Sequence, residues 1–190
     1  LEADYFQEMA TFVRRELRFT APTVCTTSFA VPHADRQLSA CDVVDIHPYW
    51  DPISETTAFA DQSILQPSGR YFERISSCQV GKPCTISEVQ YSWPNRFAHE
   101  APLVWATLGA RQGWSALLWF AWSHADIRDV PDGPNGALDL EGRFSSDAQM
   151  PAASAVFRAV RAATRTWTRW WSEDGLARDL AESPPIYPPE

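Results

Sequence analysis

Between Ala3 and Leu17 the apolar residues Phe6, Met9, Val13 and Leu17 recur at spacings of three and four, with Asp4 and Glu8 early and Arg14, Arg15 and Arg18 late. This period marks one face of an α-helix whose charges suit its dipole. Ala21-Pro22 stops it, and Thr23-Val-Cys-Thr-Thr-Ser28 reads as a short β-branched strand. A helical turn is expected near Asp35 to Ala40. The mixed apolar run Cys41-Asp-Val-Val-Asp-Ile-His-Pro-Tyr-Trp50 suits a strand buried on both faces, with Pro48 marking its end.

Residues 51 to 66 carry no period. A helix is expected over Ser68 to Ile75, then a Cys78 to Pro83 turn and the strand Cys84-Thr-Ile-Ser-Glu88. Residues 99 to 112 read as a helix bearing Val104, Trp105 and Leu108, with Gly113 as its stop. Ser115-Ala-Leu-Leu-Trp-Phe-Ala-Trp-Ser-His124 reads as one continuous apolar strand, followed by an Asp/Pro/Gly loop from Asp126 to Gly142. A last helix is expected over Ala152 to Trp171, striped by Phe157, Val160, Thr164, Trp167 and Trp171. The Pro-rich stretch 176–190 reads as an extended tail.

Strands near 23, 43, 85 and 116, each followed by a helix, form four βα units after one leading helix. That alternation implies an α/β fold with a parallel sheet and right-handed crossovers. A (β/α)₈ barrel typically needs about 250 residues, and four units are half of one. Residues 1–175 are therefore read as the C-terminal half of a TIM barrel, strands five to eight.

Composition narrows the partners. A net charge of −8 with 16 Lys plus Arg and no basic run argues against nucleic acid and an anionic membrane surface. No apolar run approaches the roughly 18 residues that span a bilayer, and residues 1 to 20 are amphipathic rather than a leader. The chain as it stands reads as soluble without an export signal; secretion or a periplasmic location would require an upstream signal that has been removed. Four cysteines (25, 41, 78 and 84) show neither CxxC nor zinc spacing. Cys78 and Cys84 flank a turn compatible with a small disulfide loop, while Cys25 and Cys41 fit either a bridge or small buried hydrophobes. No cofactor or metal is expected.

Nine Trp, ten Phe and five Tyr exceed common usage, and several fall in expected loops. Glu88 sits at a strand end followed at once by Val-Gln-Tyr-Ser-Trp-Pro-Asn95. A carboxylate at the C-terminal end of a strand, beside rings that stack on sugars, is what a retaining glycosidase needs as its nucleophile.

The order Thr26-Thr27-Ser28, then Asp45-Ile-His47-Pro-Tyr49-Trp50, then Ile86-Ser87-Glu88, then Trp119-Phe-Ala-Trp122-Ser-His124 resembles strands five to eight of the clan A retaining glycoside hydrolases. These are (β/α)₈ enzymes that include cellulases, mannanases and β-galactosidases. The resemblance covers roughly residues 3 to 171 and implies hydrolysis of a β-linked poly- or oligosaccharide. It makes Glu88 the nucleophile, Tyr49 the hydroxyl that orients it, and His47 a hydrogen-bonding partner in the barrel mouth. Trp122 becomes the platform under the sugar, and Trp50, Trp93 and Asn95 are candidates for flanking subsites. Asp45 is expected to be a buried orienting group.

The family's Asn-Glu pair, which ends strand four and holds the acid/base, is absent. Glu2, Glu55 and Glu100 are available carboxylates, and none is assigned that role. The acid/base is therefore expected from a segment upstream of Leu1, on an N-terminal half-barrel of the same precursor or on a second chain. The competing reading is a non-catalytic carbohydrate-binding or assembly module that keeps the aromatic cleft. A phosphate-handling barrel fits less well, because the last loops lack a Gly-rich phosphate cradle.

Overall fold

The computed structural model describes residues 2–27, 40–50, 61–65, 81–124 and 138–159. Helix α1 (Glu2–Arg15) is followed by strands β1 (Val24–Thr27), β2 (Val43–Ile46), β3 (Tyr49–Trp50), β4 (Cys84–Ile86) and β5 (Gln90–Tyr91). A 3₁₀ turn (Ala98–Glu100) leads into α2 (Ala101–Gln112), then β6 (Ala116–Leu117), the single turn α3 (Phe144–Asp147) and α4 (Met150–Ala159). The expected helices near 35–40 and 68–75, residues 160–171 of the last helix and the 176–190 tail lie outside the described residues.

Strands β1, β2, β4 and β6 form one parallel sheet in chain order, and β3 pairs with β5, also in parallel. The register aligns Thr26 with Asp45, Asp45 with Thr85, and Thr85 with Ala116. Residues paired across a ladder share a face, so this row lies on one side of the sheet. The neighbouring rows carry Cys25, Val44 and Cys84, then Ile46, Ile86 and Leu117, on the other side.

That second side is the core. Val44, Ile46, Cys84 and Ile86 are buried with Trp105 of α2 and with Trp114. Burying one such aliphatic side chain stabilises the fold by roughly 2 kcal/mol. Trp105 and Trp114 lie with ring centroids 6.3 Å apart. Helix α2 ends as its sequence dictates: Gly113 is left-handed (φ 73°) and its N–H bonds to the carbonyl of Gly109. Gly109 lets α4 approach, since a Cβ there would stand 2.6 Å from Trp114 and 2.8 Å from Phe157.

The opposite face is different in kind. Its polar row is flanked by Val24, 58% exposed, and Leu118, 51% exposed. Helix α1 shows a similar split. Phe6 packs on the core, but Met9 and Leu17 from the expected stripe are exposed together with Tyr5 and Phe12. Arg14 fastens the end of α1 by donating to the carbonyls of Phe19 (3.1 Å) and Ala21 (2.8 Å) and pairing with Asp42.

Two elements differ from the pattern-based reading. The run from 41 to 50 is two strands, because Pro48, which has no N–H to donate, separates β2 from β3 and the chain changes sheets there. The run from 115 to 124 holds only two ladder residues. Beyond Leu117, the amides of Leu118 and Phe120 donate to Ile86 and Val89, and Ala121 exchanges hydrogen bonds with Leu138 and Leu140. An apolar run does not by itself say where a strand changes partner.

The cysteine question is answered in part. Cys25 and Cys41 form a disulfide with Cα atoms 5.6 Å apart, joining β1 to the residues just before β2. Cys84 is also disulfide-bonded, and none of the described cysteines is free; Cys78 lies outside the described residues.

Candidate active site

The site stands at the C-terminal ends of β2 and β4, where the parallel ladder delivers His47 and Ser87 as the first residues past the sheet. Its base is Asp45, only 3% exposed. Thr85 Oγ1 (2.6 Å) and the Ser87 N–H (3.0 Å) donate to its Oδ1, and Ser87 Oγ (2.6 Å) and Thr26 Oγ1 (2.8 Å) donate to its Oδ2. Burial pushes the Asp45 carboxyl up, but these hydrogen bonds and the nearby His47 outweigh it and hold the pKa below its ordinary value.

His47 lies on top of this network. Its Nε2 is 2.9 Å from Ser87 Oγ, 3.1 Å from Thr26 Oγ1 and 3.1 Å from Asp45 Oδ2. Both hydroxyl hydrogens are directed at Asp45, so all three oxygens offer lone pairs and Nε2 must carry the proton. That fixes the ring and turns Nδ1 toward Glu88, 3.5 Å from its Oε2. The same oxygen accepts the Tyr49 hydroxyl at 2.6 Å. Tyr49 has its pKa raised by burial, and further by the hydrogen bond and charge of Glu88, so it remains a donor. Glu88 keeps 32% of its side chain exposed. This one-third-open carboxylate is held on one oxygen by the Tyr49 hydroxyl with the His47 ring beside it, and no hydrogen bond to its other oxygen is found among the described residues.

The remaining candidates divide. Trp122 (52% exposed) and Trp93 (46% exposed) present indole surface to solvent. The Arg143 guanidinium lies 6.0 Å from the centroid of Trp93; burial pushes its pKa down to about 10, with Asp139 opposing the shift. Trp50 and Asn95, expected at flanking subsites, are instead interior. Trp50 is 4% exposed, packs on Tyr91 and donates from Nε1 to the carbonyl of Gln62 at 2.8 Å. Asn95 is 2% exposed, donates to the same carbonyl at 3.2 Å and accepts the Phe97 N–H at 2.7 Å. Both hold residues 61–65 against the turn after β5 and present no free face.

Among the carboxylates, Glu100 is engaged by Ser63 Oγ (2.9 and 2.7 Å) and Tyr91 Oη (3.4 Å). Glu2 opens α1, and Glu55 lies outside the described residues. Among the described residues no group of three or more His, Cys, Asp or Glu is arranged to hold a metal ion, and no helix is long and apolar enough to cross a membrane.

Three participants carried no assigned role in the sequence. Thr26, Thr85 and Ser87 share strand parity with Asp45, a signal legible once the register is known. A fourth, Asp139, pairs with His124 from 15 positions away, and nothing local announces it.

No family model, curated protein or solved structure matches this chain.

Proposed function

We propose that this chain carries the nucleophile side of a retaining glycoside hydrolase acting on a β-linked poly- or oligosaccharide. Glu88 attacks the anomeric carbon, Tyr49 and His47 set its angle, and exposed Trp122 and Trp93 stack on sugar rings. The observation that carries the reading is the convergence of Tyr49 and His47 on one oxygen of Glu88 at the C-terminal ends of parallel strands.

The half-barrel reading is supported by a parallel ladder in chain order and by a polar row on the sheet face opposite the core. Retention requires a second carboxyl about 5 to 5.5 Å from the first. Asp45 is buried beneath its own donors, and the reading takes the acid/base from a complementary half-barrel segment or a second chain.

The nucleophile can be tested separately from the acid. A 2-deoxy-2-fluoro glycosyl fluoride carries a leaving group that departs without protonation, so it traps the glycosyl-enzyme where the acid is missing. Treatment with gluco, manno, galacto and xylo reagents followed by peptide mass spectrometry should place the label on Glu88, and Glu88→Gln should abolish it. Label on another residue, or none with any reagent, removes the assignment. Sugar binding with no turnover, even beside the complementary segment, favours the non-catalytic binding module.

A further inference from the structure

We propose that His124 contacts the ligand, binding a hydroxyl of the sugar ring through Nε2, and that Asp139 is the residue that positions it. This assignment rests on the glycosidase reading of the Glu88 site.

Asp139 is fully buried, where its charge supports the Arg143 guanidinium and its Oδ1 also engages His124. Its Oδ1 receives both the His124 backbone N–H at 3.1 Å and the His124 Nδ1, while its Oδ2 has no hydrogen-bond partner. Removing a carboxylate from water costs several kcal/mol. The two-point hold fixes the ring and places a proton on Nδ1, which donates it to Asp139 Oδ1 as a hydrogen bond. Phe120 braces the ring edge-to-face at 5.3 Å between centroids. His124 nevertheless keeps 47% of its side chain exposed, and no hydrogen bond to Nε2 is found among the described residues. Nε2 is therefore the presented atom, able to accept from a hydroxyl when neutral or donate to one when protonated.

Its surroundings match that ligand. Phe120 bonds through its N–H to the carbonyl of Val89, the residue after Glu88 (3.2 Å), which fixes the 120–124 segment beside the nucleophile's strand end. Trp122, two residues before His124, accepts the N–H groups of Leu140 (3.2 Å) and Glu141 (2.8 Å) on its carbonyl, so Asp139 and Trp122 are set by one pair of bonds. An exposed indole two residues from a fixed hydrogen-bonding nitrogen supplies the two kinds of contact a pyranose offers, one for its apolar C–H face and one for its hydroxyl edge.

The test uses the full chain carrying Glu88→Gln to prevent turnover, titrated with cellotetraose, mannotetraose and xylotetraose and followed by tryptophan fluorescence. At least one should bind, and adding His124→Gln should weaken it about tenfold, as expected for one lost ligand hydrogen bond. His124→Gln takes the Nδ1 donor from the buried Asp139 and should lower the thermal midpoint, so binding is compared at a temperature where both chains are folded. In long-range ¹H–¹⁵N spectra the His124 ring signals should show Nδ1 protonated and should move at Nε2 when sugar is added. Asp139→Asn, if folded, should change the tautomer and reproduce the weaker binding. Binding within twofold of the parent in His124→Gln, or no binding by any of the three sugars, overturns the proposal. If Glu88 is still labelled by the fluoro sugar in that case, the glycosidase reading stands without it; if Glu88 is not labelled in the wild-type chain, both fall.

Discussion

The Tyr49 hydroxyl donates to Glu88 Oε2 at 2.6 Å although the residues lie 39 positions apart. The phenol's raised pKa, caused first by burial and then by Glu88, keeps it a donor well into the alkaline range. A hydrogen bond to a charged group contributes roughly 1.5 to 3 kcal/mol. Tyr49→Phe should therefore slow the labelling of Glu88 by about 10- to 100-fold. Its thermal midpoint should change little, because Glu88 is open enough to recover water. An unchanged labelling rate would remove Tyr49 from the site.

Asp45 contributes to stability in a defined pH window. Its folded pKa is depressed, so the contribution is present above the unfolded value of about 3.9 and is lost as pH falls through the lower folded value. Asp45→Asn should cost about 2 kcal/mol near pH 7 by disturbing the donors that converge on it. The gap between variant and parent should close below about pH 3. Urea titrations at several pH values measure both, and a gap independent of pH would contradict the linkage.

Gly109→Ala sets two effects against each other. Alanine gains up to about 1 kcal/mol in helix propensity, but its methyl would sit 2.6 Å from Trp114 and 2.8 Å from Phe157. Overpacking of this kind typically costs about 1 to 3 kcal/mol. The variant should be less stable by chemical denaturation and should show altered tryptophan fluorescence. A more stable variant would mean that α4 does not pack there.

The Cys25–Cys41 bridge closes a loop with a sequence separation of 16, for which chain entropy gives about 3 kcal/mol. The double variant Cys25→Ala/Cys41→Ala should unfold at correspondingly lower denaturant. Non-reducing peptide mapping should recover this pair from the wild-type chain. Disulfides in a core of this kind suit folding in an oxidising environment.

Val24 and Leu118 lie exposed on the sheet face that bears the polar row. Among the described residues, β1 and β6 each have a neighbour on one side only. Unpaired edges and uncovered apolar groups promote association. Light scattering after size exclusion should show the isolated chain as larger than a monomer, or recover a monomer only when a complementary segment is supplied. A monodisperse monomer that unfolds cooperatively would count against the half-barrel reading.

Much of the site was legible because it follows strand parity. Asp45, His47 and Tyr49 alternate along one run, and a carboxylate closing a short apolar strand identifies Glu88. Helix α2 was legible for the same local reason, its stripe being closed by Gly113. What could not be read depends on distant pairing. The change of sheet at Pro48, the departure of 118–124 from the ladder and the His124–Asp139 pair are set by partners far away in the chain. Trp50 and Asn95 show the limit for single residues: an aromatic or amide just past a strand end is equally suited to a cleft or to fastening a loop, and here Gln62 and Phe97 take them inward.

Pro48 has a consequence for how such a site can change. It is fully buried and separates two ladders, with His47 anchored to one through Asp45 and Tyr49 paired in the other opposite Gln90. The aim of Glu88 is thus set at a seam between two sheets rather than by any single connecting loop. His47 and Tyr49 answer to different strand pairings, so a shift of one ladder against the other would move one of Glu88's two neighbours and leave the second in place.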